Sequence, residues 1–236
     1  MDHYKDIYAH KAKAYHRMIS AEDVDGNLLP AMRSAMGTAS FSGLRVLDVG
    51  SGTGRMPMLF ARLAEAERPG QVIAVDESMA MLVCQKAELS SYWPLVQADG
   101  RGLPFRSKWA DLVVAGWAIG HFCGWYEADW QDQASQVIES MLRTVRPGGT
   151  VLILETMTTG SLTAAPPSQR LANYYAWLES DWGFQREVIS TDSQFASVEE
   201  ALECTEFFFG AELGAAIREQ GWARLPEWTG VWARRA

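Results

Sequence analysis

Short runs of β-branched and aliphatic residues punctuate the chain between longer stretches whose apolar residues recur at helical spacing. The runs end at Val49, Asp76, Asp99, Ala115 and Glu155, and each reads as a strand buried on both faces. Between them, Met56 to Ala66 and Ser78 to Leu89 read as helices, the first ended by Pro69-Gly70. Trp130, Ala134, Val137, Ile138, Met141, Leu142 and Val145 form one apolar stripe, so the helix after the fourth strand is the best marked. Arg146-Pro-Gly-Gly149 stops it, and Thr150 to Glu155 is the fifth strand. Strand and helix in alternation predict an α/β fold, with a parallel sheet covered by helices on both faces.

The two ends depart from that alternation. Tyr4, Ile7, Tyr8, Tyr15 and Ile19 fall on one helical face before the first strand. Ser20 to Asn27 breaks that helix, another follows through Leu28, Leu29 and Met32, and Glu22, Asp23 and Asp25 read as a solvated turn. After the fifth strand, residues 157–183 hold a polar, proline-containing loop and an aromatic helix with Tyr174, Tyr175, Trp177 and Trp182. This insertion is expected above the carboxyl edge of the sheet as a substrate lid. A sixth strand is expected at Arg186 to Asp192, helices at Val198 to Phe208 and Ala211 to Gln220, and a seventh strand at Glu227 to Ala233.

The chemistry concentrates where strands end. VLDVGSGTGR at 46–55 runs from a strand through a glycine-rich turn into a helix. Gly50, Gly52 and Gly54 remove the Cβ atoms that would hold a ligand away from the backbone. Asp76 closes the second strand, placed to accept ribose hydroxyls, and Asp99 closes the third, placed to meet an adenine amino group. Asp48, inside the turn region, would repel a pyrophosphate and attract an ammonium group. The spacing is G-x-G-x-G and not the G-x-G-x-x-G of dinucleotide sites, which argues against a nicotinamide oxidoreductase. An α-amino group, a ribose and an adenine without phosphate fit these three acids.

These residues resemble the class I S-adenosylmethionine-dependent methyltransferases, and within them the small-molecule branch that includes the ubiquinone and menaquinone biosynthesis enzymes. The likeness runs from about Leu44 to Thr156 through VLDVGSGTGR, AVDES, QADGRGLPF, ADLVVAGWAIGHF and LRTVRPGGTVLILE, in the family's order. It implies a Rossmann-like, seven-stranded, mostly parallel sheet whose last strand is antiparallel. It also implies one domain over residues 1–236: an N-terminal helical lid (1–40), a cofactor-binding core (41–156), the lid insertion (157–183) and C-terminal strands and helices (184–236). S-adenosyl-L-methionine would be the cofactor and S-adenosyl-L-homocysteine its product. Asp48, Gly50, Ser51, Gly52 and Thr53 would hold the methionine moiety. Asp76, Glu77, Ser78 and Met79 would surround the ribose and adenosine, and Asp99, Gly100 and Arg101 the adenine edge. Gly116 and Trp117 follow at the end of the fourth strand. Tyr15 resembles the tyrosine that often lies near the cofactor carboxylate, though a tyrosine in a helix interface reads equally well.

Methyl transfer asks for alignment, exclusion of water and, for some acceptors, removal of a proton. His121, after the fourth strand, is the candidate base; a histidine bonded to backbone below the site is the competing reading. Trp117, His121, Glu155, Tyr174 and Tyr175 are the candidate substrate contacts, with Glu155 read either as an alternative base or as a loop cap. Neither an Asn-Pro-Pro-Tyr loop nor a Pro-Cys pair follows the fourth strand, and no metal-binding acid cluster is evident. The expected reaction is metal-independent methylation of a small molecule at O, N, C or S. A SAM-binding cyclase, lyase or regulatory module is the alternative, because function belongs to the site and not to the fold.

Composition narrows the partners. A formal charge of −8 over 236 residues, with no basic patch, disfavours nucleic acid. Three scattered cysteines without ligand spacing, and the lack of a signal peptide or a span-length apolar run, point to a cytoplasmic protein off the membrane. Monomer and homodimer both remain open; Trp228 and Trp232 suit either a dimer edge or the sheet core.

Overall fold

The computed structural model describes residues 3–89 and 93–236. Its centre is a seven-stranded sheet built from β1 (Arg45–Val49), β2 (Gln71–Asp76), β3 (Leu95–Gln97), β4 (Ala110–Gly116), β5 (Val145–Thr159), β6 (Gln185–Ser190) and β9 (Glu227–Arg235), in the order β3-β2-β1-β4-β5-β9-β6. The first five strands pair in parallel. β9 enters between β5 and β6 and is antiparallel to both. β7 (Ser193–Gln194) and β8 (Arg224–Leu225) form a separate two-stranded ribbon.

Period-two alternation explains why the central strands carry so few polar residues. Leu47, Val113 and Ile153 point to one face, where they pack with α7 (Trp130–Thr144) and α8 (Gln169–Ser180). Val46, Leu112, Val114 and Leu152 point to the other, against α3 (Leu28–Met36) and α4 (Arg55–Arg62). α5 (Met79–Glu88) starts at Ser78, whose hydroxyl accepts from the Met81 N–H at 3.4 Å as an N-cap. The chain after β4 forms a short helix, α6 (Phe122–Trp125). α9 (Val198–Phe209) and α10 (Ala211–Gln220) form a smaller cluster with β8.

Several expectations shift in detail. The N-terminal helix is two, α1 (His3–His10) and α2 (Ala12–Ser20), broken at Lys11, whose φ of −124° leaves the helical region. α4 ends at Arg62, short of Ala66. Residues 146–149 bulge out of β5, because Ala110 pairs with Val145 while Leu112 pairs with Thr150. The acidic turn is not solvated at its first two acids. Glu22 is buried on Arg55, and Asp23 accepts from the N–H groups of Asn27 and Leu28 at the start of α3; Asp25 alone stays exposed, paired with Arg224.

The aromatic helix of the insertion is mainly core. Tyr174 and Tyr175 are buried, and Tyr175 lies 4.6 Å, ring to ring, from the fully buried Trp232. Trp232 therefore belongs to the sheet core and not to a dimer edge. All three cysteines are buried thiols, and no helix among the described residues is long and apolar enough to cross a membrane.

Candidate functional site

The carboxyl edge of β1, β2 and β4 opens a cavity of about 400 Å³, roofed by α1 and α2. Its floor is the glycine turn. Gly50 has φ +71°, and a Cβ there would lie 2.5 Å from the Cβ of Ala118, so only glycine lets the two loops approach so closely. Asp76 closes the turn: its Oδ2 accepts from the Gly52 N–H and its Oδ1 from the Ser78 N–H, both at 2.8 Å. Burial raises the Asp76 pKa while these two amides pull it back. Each carboxylate oxygen still has a lone pair for a ligand.

The neighbouring acids are held differently. Asp48 is buried with no hydrogen-bond partner on Oδ2, and burial followed by the nearby Asp76 pushes its pKa well up. Asp99 is gripped by Arg101, which donates through its backbone N–H and through Nε, both at 2.9 Å, and holds the carboxyl below its usual range. Arg101 is itself oriented by Tyr126 and Gln133.

A second, larger cavity of about 730 Å³ adjoins the first. The two share Tyr8, Tyr15, Arg55, Trp117, His121 and Trp125 as walls. Trp117 has a left-handed backbone, φ 53°, which costs a non-glycine residue about 1–3 kcal/mol. The Arg55 guanidinium lies 3.7 Å from its ring centroid, a stacking worth about 0.5–2 kcal/mol. The same guanidinium donates from Nη2 to Glu22 at 2.6 Å, while Nη1 is buried with no hydrogen-bond partner. Tyr8 Oη lies 2.7 Å from His121 Nε2, and His121 stacks on Trp125 with ring centroids 5.0 Å apart. Glu155 lines the second cavity at the end of the central β5 strand segment. Burial lifts its pKa to about 8, against the Gly120 N–H that donates to it at 2.8 Å.

The structure thus gathers Tyr15, Gly50, Ser51, Gly52, Asp76, Glu77, Ser78, Asp99, Gly100, Gly116, Trp117 and His121 around the first cavity, and Glu155 and Tyr175 around the second. Asp48, Thr53 and Arg101 stand behind these walls. Met79 points outward, half exposed, and Met81 of the same helix lines the cavity instead. Tyr174 is enclosed by core aromatics, with its hydroxyl 3.5 Å from Glu155. Sequence reasoning missed Lys5, Tyr8 and Arg55 as cavity residues. Tyr8 was already on the apolar face of the N-terminal segment, and Arg55 is the last letter of the glycine motif, so both carried a signal.

The motif order, the sheet topology and this cavity converge with a family match: residues 47–153 match the family described as "Methyltransferase domain". Over that stretch, under half of the chain, the sequence is similar to S-adenosylmethionine-dependent methyltransferase domains. Among similar proteins is the ubiquinone/menaquinone biosynthesis C-methyltransferase UbiE of Idiomarina loihiensis, 34% identical over 118 residues. That match covers 48% of this chain and 43% of the relative, so the shared part is under half of either. Phosphoethanolamine N-methyltransferase 2 of Haemonchus contortus, solved with S-adenosyl-L-methionine, shares the fold at TM-score 0.58 and 17% identity, covering 100% of this chain and 60% of that one. The [4+2]-cyclase SpnF shares it at TM-score 0.50 and 16% identity, covering 89% and 80%.

The methyltransferase cofactor fits the first cavity on its own geometry. The Gly50 cradle leaves no room for a Cβ, Asp76 has acceptor capacity left, and the orphaned Nη1 of Arg55 is a buried donor awaiting an acceptor.

Proposed function

We propose that this methyltransferase transfers a methyl group from S-adenosylmethionine to a small-molecule acceptor held in the second cavity. The observation that carries the reading is the shared wall: two adjoining cavities meet at Tyr8, Arg55, Trp117 and His121. A cofactor over the glycine turn and an acceptor beyond it would face each other there.

The cofactor would supply an activated methyl group on a sulfonium. The chain's own residues do the rest. Asp76 would accept from ribose hydroxyls. Asp99, fixed by Arg101, and Gly100 would flank the adenine. Arg55, through Nη1, and Lys5 would supply positive charge for the cofactor carboxylate, beside Tyr15. α1 and α2 would form the roof that keeps water from the reacting groups, since Tyr8 and Tyr15 line the wall shared by the cavities. His121 would take a proton from the acceptor, its ring held by Tyr8 on one side and Trp125 on the other. Trp117, Glu155 and Tyr175 would contact the acceptor.

Thermal unfolding in excess S-adenosylmethionine, S-adenosylhomocysteine or NADH tests the cofactor assignment. A ligand at about 100 times its dissociation constant adds roughly 2.7 kcal/mol, which raises the midpoint by several degrees. A shift with both adenosyl ligands and none with NADH is expected; no shift with either adenosyl ligand would overturn the assignment. Release of S-adenosylhomocysteine only when an acceptor is present then separates transfer from mere binding.

A further inference from the structure

The second cavity carries a charge imbalance that a general methyl-transfer reading does not use. Among the described residues, Glu22, Glu155 and Glu227 bring buried carboxyl groups to its wall, and Arg55 is the buried cation there. Arg170 also lines it, but at the exposed rim and paired with Glu127. Arg55 is already committed to Glu22 and to the face of Trp117, and its charge also acts on Glu227 without a hydrogen bond between them.

Glu227 has the weakest partners of the three. It accepts from Ser193 Oγ at 3.2 Å and from Thr159 Oγ1 at 3.4 Å, both long for hydroxyl donors. A carboxylate has about four lone-pair sites, so Glu227 keeps acceptor capacity at the cavity wall. Tyr4, Tyr175 and Phe208 line the same space, while the Trp117 ring there already carries the Arg55 guanidinium and the Trp125 ring the Lys5 ammonium. Carboxylates facing aromatic rings are the environment that favours a cation with an apolar body, since ring faces attract positive charge.

We propose that the acceptor is a cationic amine on a ring-bearing, apolar body, its ammonium group held by Glu227. An anionic acceptor would meet the Glu22 and Glu227 carboxyl groups beside an arginine whose Nη2 is already paired, with Glu155 held largely protonated by burial. A neutral alcohol would leave the Glu227 carboxyl without the strong donor that repays its burial. Burial lifts the Glu227 pKa to about 7, and an ammonium beside it would favour the charged form.

The inference rests on the methyl-transfer reading and completes its proton balance. His121 takes one proton from the ammonium and later returns it to solvent. The nitrogen lone pair so exposed forms the new N–C bond as the methyl C–S bond breaks. Sulfur keeps that electron pair as a neutral thioether, and the product leaves as a methylated ammonium.

The test is calorimetric titration of the full chain, saturated with S-adenosylhomocysteine, with three probes of one shape: 2-phenylethylamine, 2-phenylethanol and 3-phenylpropanoate. The amine is expected to bind at least tenfold more tightly than the other two. In Glu227→Gln the amine should lose that advantage while 2-phenylethanol binds as before, which also reports that the cavity has folded. The wild-type ranking stands as a test even if the variant fails to fold. Equal or tighter binding of the alcohol or the acid, or binding by none of the three, would overturn the proposal. Failure of S-adenosylhomocysteine itself to bind would instead overturn the cofactor reading beneath it.

Discussion

The hydroxyl of Tyr8 lies 2.7 Å from Nε2 of His121, tying the first helix of the chain to the turn that follows β4. The two residues are 113 positions apart, and their contact closes the wall shared by the two cavities. Burial first, then the neighbouring Tyr15, keeps the Tyr8 phenol protonated far above neutral pH. A donating Tyr8 leaves Nε2 as the acceptor and puts the proton of the neutral imidazole on Nδ1. A base acting through Nε2 must therefore exchange this partner for the acceptor, or receive the acceptor's proton through it.

His121→Ala is expected to lower turnover by about a hundredfold at saturating acceptor, while Tyr8→Phe lowers it several-fold. Steady-state rates with the transferred methyl as readout decide this. Near-wild-type turnover in His121→Ala would leave His121 as a packing residue on Trp125.

Asp76→Ala is expected to weaken S-adenosylmethionine binding by about 1.5–3 kcal/mol, through loss of a charged acceptor. The substitution also releases the Gly52 and Ser78 amides that Asp76 holds. Asp76→Asn keeps one acceptor oxygen and should fall between the two in a calorimetric titration. Unchanged affinity in the alanine variant would remove Asp76 from the site.

Removing Arg55 leaves Glu22 buried without its cation. Arg55→Ala is expected to destabilise the fold by about 3–5 kcal/mol, the cost of breaking a buried pair from one side. Adding Glu22→Gln should recover part of that loss, because the uncompensated charge is then gone. Denaturant unfolding of the single and double variants measures both numbers; simple additivity would show that the two side chains are not coupled.

Stability should fall as pH rises from about 5 to 8. Glu155 has its pKa lifted by burial from an ordinary 4.5 to about 8, and Glu227 to about 7. The folded chain then binds more protons than the unfolded chain across this window, so these groups contribute fully below about pH 4.5 and lose their contribution as pH climbs through the raised values. Glu155→Gln keeps an oxygen for the Gly120 amide and should flatten part of the slope. Thermal midpoints at half-unit pH intervals test it, and identical slopes in variant and wild type would refute the assignment to Glu155.

The order of the strands' motifs was legible because each is local. A run such as Val46 to Val49 followed at once by Gly50, Gly52 and Gly54 announces strand, turn and helix within ten residues, and Asp76 and Asp99 end their strands in the same way. Ser78 proved to be a helix cap as well as a cavity residue. The aromatic helix was less legible: Tyr174, Tyr175 and Trp177 have the composition of a cage and of a core alike, and only packing, of Tyr174 on Trp130 of α7 and of Tyr175 on Trp232 of β9, puts Tyr174 inside the protein and Tyr175 at the edge of a cavity.

The sequence by itself determined the fold class and the glycine-and-acid edge of the sheet, and it carries the resemblance to the methyltransferases, since these rest on periodicity and short motifs that the chain carries whatever its neighbours. Only the tertiary structure decided which charges meet. Glu22 reads as a solvated turn residue until Arg55, 33 positions on, buries with it, and Glu227 reads as the start of a strand until the fold sets it on the wall of the same cavity. Burial and Coulomb interaction depend on distances in space, and those depend on the folding of segments far apart in the chain.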